Sequence, residues 1–196
     1  MFDPTEGKVL IDGVDVKKIP LQVLRCEIGC VPQETFLFSE TIRENILFGV
    51  QNGDGESMQA AATIARVKEE IEGFSERYET LLGERGINLS GGQKQRTAIA
   101  RAIVRQPSIL ILDDALSSVD TYTEDEILRG LRGVMRERTS LIISHRVSTV
   151  RDADLIIVLK DGSIVEKGTH ELLMQKDGYY AELSRMQQWE EDLETL

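Results

Sequence analysis

Three short, β-branched runs narrow the folds open to this chain of 196 residues: "SILILD" at 108–113, "TSLIIS" at 139–144 and "ADLIIVL" at 153–159. Each is short for a helix and almost continuously apolar, which fits strands buried on both faces of a largely parallel sheet. A helical stretch from about 121 to 138 and a turn after His145 separate them. That alternation implies an α/β fold with helices packed on the sheet. Ligands of such sheets bind beyond the carboxyl ends of the strands. Asp113, Asp114 and His145 all fall at strand ends, so one shared site is expected. Acids in that position also serve simply to turn a chain into water, and the Asp113-Asp114 pair alone does not decide between the two.

Upstream, "GKVLIDGVDV" alternates apolar and polar residues around Asp12-Gly13, a signal for short antiparallel strands. "EIGCVPQ" reads as a strand ending at Pro32 and Gln33. From Thr35 to Arg105 the pattern is helical, with "MQAAATIARVKEEIEGF" carrying apolar residues at helical spacing. "VLKDGSIVEKG" is a hairpin with Asp161-Gly162 at its tip. The acidic, amphipathic tail after Thr169 is expected to be helical, and His170 in its first turn to be structural.

The 41% apolar content supports one domain with a sizeable core. A net charge of -11 argues against a general nucleic-acid binder, which needs surplus Lys and Arg, but leaves local nucleotide binding open. Cys26 and Cys30 have no nearby His or further Cys to complete a metal set, and read as reduced thiols with packing roles. No apolar run approaches the roughly 18 residues of a membrane span, and "MFDPTEGKVL" lacks a signal-peptide core. A soluble or peripheral chain is expected.

"NLSGGQKQRTAIARAIVRQP" opens with Ser90 and Gln93 in the S-x-x-Q form of a capping box, and continues as an amphipathic helix to Pro107. Gly91 and Gly92 strip the first turn of side chains. A bare helix start with free N–H groups is a ready anion site, and only a phosphate-sized ligand is expected to rationalise both glycines.

With these residues in view, the chain resembles the nucleotide-binding domain of ATP-binding cassette (ABC) exporters over almost its whole length. "LSGGQ" at 89–93 is similar to the family's signature motif, "ILILDD" to the Walker B strand and "SSVD" at 117–120 to the D-loop. Gln33 matches the Q-loop, His145 in "ISHR" the switch histidine, and "LLGERG" at 81–86 the X-loop. The resemblance implies a P-loop NTPase-like α/β core with a helical subdomain. It divides the chain into a β-subdomain remnant and Q-loop strand (1–33), a helical subdomain (34–105), and a part with Walker B, D-loop and switch histidine (106–196). It further implies ATP and Mg²⁺ as ligands, Asp113 and Gln33 at the metal, and Asp114, His145 and Gln33 as catalytic groups. Ser90, Gly91, Gly92, Gln93 and Asp120 would contact nucleotide.

The implied partners are a second cassette, paired head to tail so that each signature motif completes the other's site, and membrane-domain coupling helices met by the Gln33 region and Glu84. The implied place is the cytoplasmic face of a membrane and the implied work is efflux, with multidrug or lipid exporters as the nearest class. A chromosome-maintenance ATPase would share "LSGGQ" and "ILILDD" but would carry coiled coils or basic clamps, which this chain lacks. A non-catalytic docking module is the remaining alternative.

Two departures stand out. The family's general base after the metal-binding Asp is Glu, whereas here it is Asp114; the carboxylate retreats by about an ångström, a misplacement that can cost on the order of a hundredfold in rate. Asp in this position resembles the degenerate half of heterodimeric exporters. The phosphate cradle G-x-x-x-x-G-K-[ST] is also absent, since Gly7-Lys8 is followed by Val9 and a strand. Met1 is therefore expected to be an internal residue of a longer gene. The chain alone is expected to expose apolar surface at "SILIL" and "SLIIS", to be marginally stable, and neither to bind nor to hydrolyse ATP.

Overall fold

The computed structural model describes residues 4–50, 53–83 and 88–194. The chain forms two compact units, residues 1–141 and 142–196.

The first unit begins with an antiparallel pair, β1 (Leu10–Ile11) and β2 (Val14–Asp15). Asp12 and Gly13 between them both have positive φ, at 49° and 77°, as a two-residue hairpin loop demands. Helix α1 (Leu21–Glu27) leads into β3 (Ile28–Val31). Next come α2 (Ile42–Ile46), α3 (Gly55–Ile64), α4 (Lys68–Gly73) and α5 (Gly91–Ile103), then β4 (Ile109–Asp113) and α6 (Thr121–Met135). β3 and β4 run parallel, with Ile28 opposite Ile109 and Val31 opposite Leu112. β5 (Thr139–Ile143) follows in the strand order β3-β4-β5, and its first N–H donates to the Ser108 carbonyl at 3.2 Å.

The core of this unit is built from Ile42, Ile46, Met58, Ile71, Ile99, Leu110, Leu112, Ile127 and Leu131, all nearly inaccessible. The buried Asn45 amide is fully bonded, whereas the Tyr78 hydroxyl and Thr80 Oγ1 have no partner among the described residues. Asn45, wholly buried, accepts from the Phe38 N–H at 2.8 Å and donates to the carbonyls of Phe38 and Thr41, each at 3.0 Å. Arg96 donates to the Glu70 carboxylate at 2.8 Å and to the Arg66 carbonyl at 2.6 Å, tying α4 to α5.

Several sequence expectations are corrected here. The helical run at 58–74 is two helices: Arg66 takes a φ of 53°, and the Arg66 and Val67 N–H groups turn back to the carbonyls of Thr63 and Ala62. The apolar strand runs are not buried on both faces. Along β4, Leu110 and Leu112 are buried while Ile109 and Ile111 are half-buried. In β5, Leu141 and Ile143 are 53% and 43% exposed, so the expected apolar exposure is concentrated in "SLIIS". Cys26 and Cys30 are free and exposed rather than packed. Cys30 lies opposite Ile111 on the more open face of the β3-β4 pair, where desolvation and the nearby charge of Asp113 push its thiol pKa up.

The second unit contains α7 (Val147–Val150), β6 (Ile156–Lys160), β7 (Ser163–Gly168), α8 (His170–Lys176) and α9 (Tyr179–Glu194). Its core is Val147, Ile156, Leu173 and Tyr180. The run "ADLIIVL" does not extend the parallel sheet: β6 pairs antiparallel with β7 in a separate two-stranded sheet. Local chemistry decides this, because Asp161 and Gly162, with φ of 50° and 76°, form a hairpin loop that pairs β6 with the residues just after it. His170 is structural as expected, its Nδ1 lying 2.9 Å from the Tyr180 hydroxyl. Among the described residues no helix is long and apolar enough to cross a membrane.

Candidate functional site

Ser90 and Gln93 form the capping box that their spacing implied. The Gln93 N–H donates to Ser90 Oγ at 3.2 Å, and the Ser90 N–H donates to Gln93 Oε1 at 2.9 Å. Reciprocal capping fixes the first turn of a 13-residue helix and commits the Gln93 side chain to that task. The N–H groups of Gly91 and Gly92 keep no partner among the described residues. Ser90 and Gly91 are exposed, so these donors and the positive end of the helix face outward.

The glycines have a second reason that spacing alone did not reveal. A Cβ at Gly92 would stand 3.0 Å from the Ser118 carbonyl oxygen, and one at Gly91 would make ordinary contact with the Ser118 side chain at 3.5 Å. Close packing on the turn after β4 therefore disfavours a side chain at Gly92 without any ligand. The expectation that only a phosphate explains both glycines is corrected to that extent.

β4 ends at Asp113, and Asp114 follows in the left-handed region with φ of 47°. Both are half-buried, and neither carboxylate has a hydrogen-bond or ion-pair partner among the described residues. The Asp114 carbonyl accepts from the Ser117 N–H at 3.3 Å and from Ser117 Oγ at 3.0 Å, closing a tight turn. Gln33 lies two residues beyond Val31, as Asp113 and Asp114 lie one and two beyond Leu112, the residue opposite Val31. The exposed Gln33 and the two acids thus leave the same end of the parallel pair.

Asp120 is the N-cap of α6: its Oδ1 accepts from the Thr123 N–H at 2.9 Å, and that bond holds its pKa below the usual carboxylate range. His145 belongs to the second unit. It is exposed, and its carbonyl accepts from Gln187 Nε2 at 2.7 Å. Glu84 and the second half of the X-loop, residues 84–86, lie outside the described residues. The structure therefore joins the Ser90 turn to the Asp114 turn, while His145 is held within its own unit.

Sequence reasoning missed the two glutamines that hold these turns, Gln95 and Gln187. Their partners lie at separations of 19 to 23 and 40 to 42 residues, where no local pattern operates.

Among the described residues no group of three or more His, Cys, Asp or Glu could by itself hold a metal. Mg²⁺ does not require one, since it takes one or two protein carboxylates and fills its shell with phosphate oxygens and water. The half-buried Asp113, unpartnered among the described residues, fits that role.

The chain matches the model of the ABC transporter family over residues 1–117. It is 46% identical to "ABC transporter ATM1" of Toxoplasma gondii over 197 residues, covering 100% of this chain and 17% of that protein. It is 44% identical to "ATP-binding cassette sub-family B member 6" of Homo sapiens over 191 residues, covering 97% and 23%. A third relative, "Iron-sulfur clusters transporter ATM1, mitochondrial" of Gibberella zeae, is 45% identical over 184 residues, covering 93% and 26%. The chain thus spans about a quarter or less of the length of these relatives. None of these names refers to multidrug or lipid efflux, the cargo class the motifs had suggested. A solved structure of a bacterial Atm1-family ABC exporter with ATP bound superposes with a TM-score of 0.91 at 44% identity, covering 95% of this chain and 33% of that one. The chain belongs to the ABC transporter family.

Proposed function

We propose that this chain serves as the ATP-handling cassette of an exporter of the Atm1 kind, working with membrane domains and a second cassette at the cytoplasmic face of a membrane. The observation that carries this reading is the bare, capped start of α5, whose Gly91 and Gly92 amides, unpartnered among the described residues, are packed against the turn that holds Asp114. The family match and the ATP-bound neighbour supply the ligand.

On this reading Asp113 and Gln33 hold Mg²⁺, which when bound neutralises phosphate charge. Catalysis of phosphoryl transfer is mostly positioning and electrostatics, and the chain's residues divide that work. Gln33 orients the attacking water through its amide, and Asp114 accepts the proton. His145 donates a hydrogen bond toward the terminal phosphate as negative charge develops. The Ser90 hydroxyl and the Gly91 and Gly92 amides donate to the phosphate bound by the partner cassette, with Asp120 and Gln93 shaping the same interface. Membrane-domain helices meet the Gln33 region and Glu84.

Asp114 makes this chain's own site slow, and pairing with a cassette that carries Glu would give a heterodimer with one fast site. The 196 residues contain no G-x-x-x-x-G-K-[ST], so the isolated chain binds ATP negligibly and does not hydrolyse it above background.

Steady-state ATP hydrolysis by the assembled exporter tests the reading. Asp114→Glu should raise turnover at this site by roughly tenfold or more, because it restores about an ångström of reach, and Asp113→Asn should abolish it. Turnover indifferent to both substitutions would leave the chain a non-catalytic docking module.

A further inference from the structure

Gln95 is a polar side chain only 4% exposed, one turn into α5, and its amide points at the turn after β4. Its Nε2 donates to Ser117 Oγ at 3.0 Å and makes a longer approach to the Asp114 carbonyl at 3.5 Å. Its Oε1 accepts from the Ser118 N–H at 2.9 Å. Donor and acceptor sides are thus both spent on residues 114–118. The same turn presses on Gly92, where a Cβ would meet the Ser118 carbonyl at 3.0 Å. Asp114, in the left-handed region that few non-glycine residues adopt, is the residue such a turn must restrain.

We propose that Gln95 is a positioning residue that locks the Ser90 helix start to the Asp114 turn, so that the group serving the partner's phosphate and the acid serving this chain's own site move as one body. The buried amide gives the coupling its stiffness. A side chain this deeply buried has little water to exchange with, so breaking one bond leaves its amide poorly satisfied. Its functional consequence rests on the ATP-cassette reading above; its structural consequence does not.

Two substitutions separate the parts. Gln95→Met keeps the length and apolar stem but deletes every bond. Gln95→Glu keeps the acceptor for the Ser118 N–H and loses the donor to Ser117 and Asp114. The Ser118 N–H is the donor of the bond to Gln95 Oε1, so its amide exchange with solvent reports that bond. In the assembled exporter, Gln95→Met should speed Ser118 amide exchange by about tenfold or more. It should also lower kcat for ATP by about tenfold to a hundredfold with KM changed less than about threefold. Gln95→Glu should fall between Gln95→Met and the unchanged protein in both readouts.

If Gln95→Met does not fold, Ser117→Ala cuts one bond of the same set. A fall in kcat of about threefold or more would support the lock, and an unchanged kcat would count against it. Faster Ser118 exchange with unchanged kcat and KM overturns the proposed coupling, as does unchanged Ser118 exchange. Should the unsubstituted exporter show no Asp113-dependent hydrolysis, the cassette reading falls by itself, and the exchange measurement still decides whether Gln95 holds the turn.

Discussion

The side-chain amide of Gln187 brackets His145, its Nε2 donating to the His145 carbonyl at 2.7 Å and its Oε1 accepting from the Val147 N–H at 2.8 Å. The turn is tightened further by Ser144, whose Oγ accepts from the Arg146 N–H at 2.9 Å and donates to Thr149 Oγ1 at 3.2 Å. An exposed histidine on a turn is thereby given a fixed backbone, and the fixing residue comes from α9, far along the chain.

Replacing Gln187 with Leu removes both bonds and leaves a buried residue's N–H without its partner. The second unit should lose about 1–2 kcal/mol. Backbone shifts at residues 145–147 should move while the helicity of α9, read by the amides of its central turns, is retained. An unaltered spectrum at 145–147 would show that the turn holds itself.

Gly91 and Gly92 should respond differently to the same change. Gly92→Ala forces a methyl against the Ser118 carbonyl and should cost about 1 kcal/mol or more, displacing the 114–118 turn. Gly91→Ala meets only ordinary contact and should be nearly neutral in stability. Parallel denaturant titrations of the two variants read the difference.

Asp120 gives the acid end of the stability profile. The Thr123 N–H lowers its folded-state pKa. Its contribution is therefore complete above the ordinary carboxylate range and is lost as pH falls through the lowered value. Amide exchange at Thr123 should accelerate as that acid is protonated, and Asp120→Asn, which still offers an acceptor oxygen, should flatten the dependence.

Much of this was legible in the residues, and the physical reason is range. The Ser90 capping box, the two Asp-Gly hairpin loops and the strand ending at Asp113 are set by groups within a few positions of one another. The break at Arg66 was hidden because its flanks, with Ala61, Ala62 and Ile71 buried, keep a helical apolar rhythm across it. The antiparallel pairing of β6 is hidden because an apolar run does not disclose its partner strand. The Gln95 and Gln187 clamps and the contact of Gly92 with Ser118 depend on tertiary approach, so glycines that suggested an open anion site also serve as a packing seam.

The most direct test is ATP turnover by the assembled exporter carrying Ser90→Glu in this chain alone, measured beside ATP binding at each of the two sites. A carboxylate at the helix start repels the partner's phosphate, so hydrolysis at the partner's site should fall by about a hundredfold or more while this chain's own nucleotide binding is unchanged. Unimpaired hydrolysis at the partner's site would contradict the assignment of the Ser90 turn to the second nucleotide.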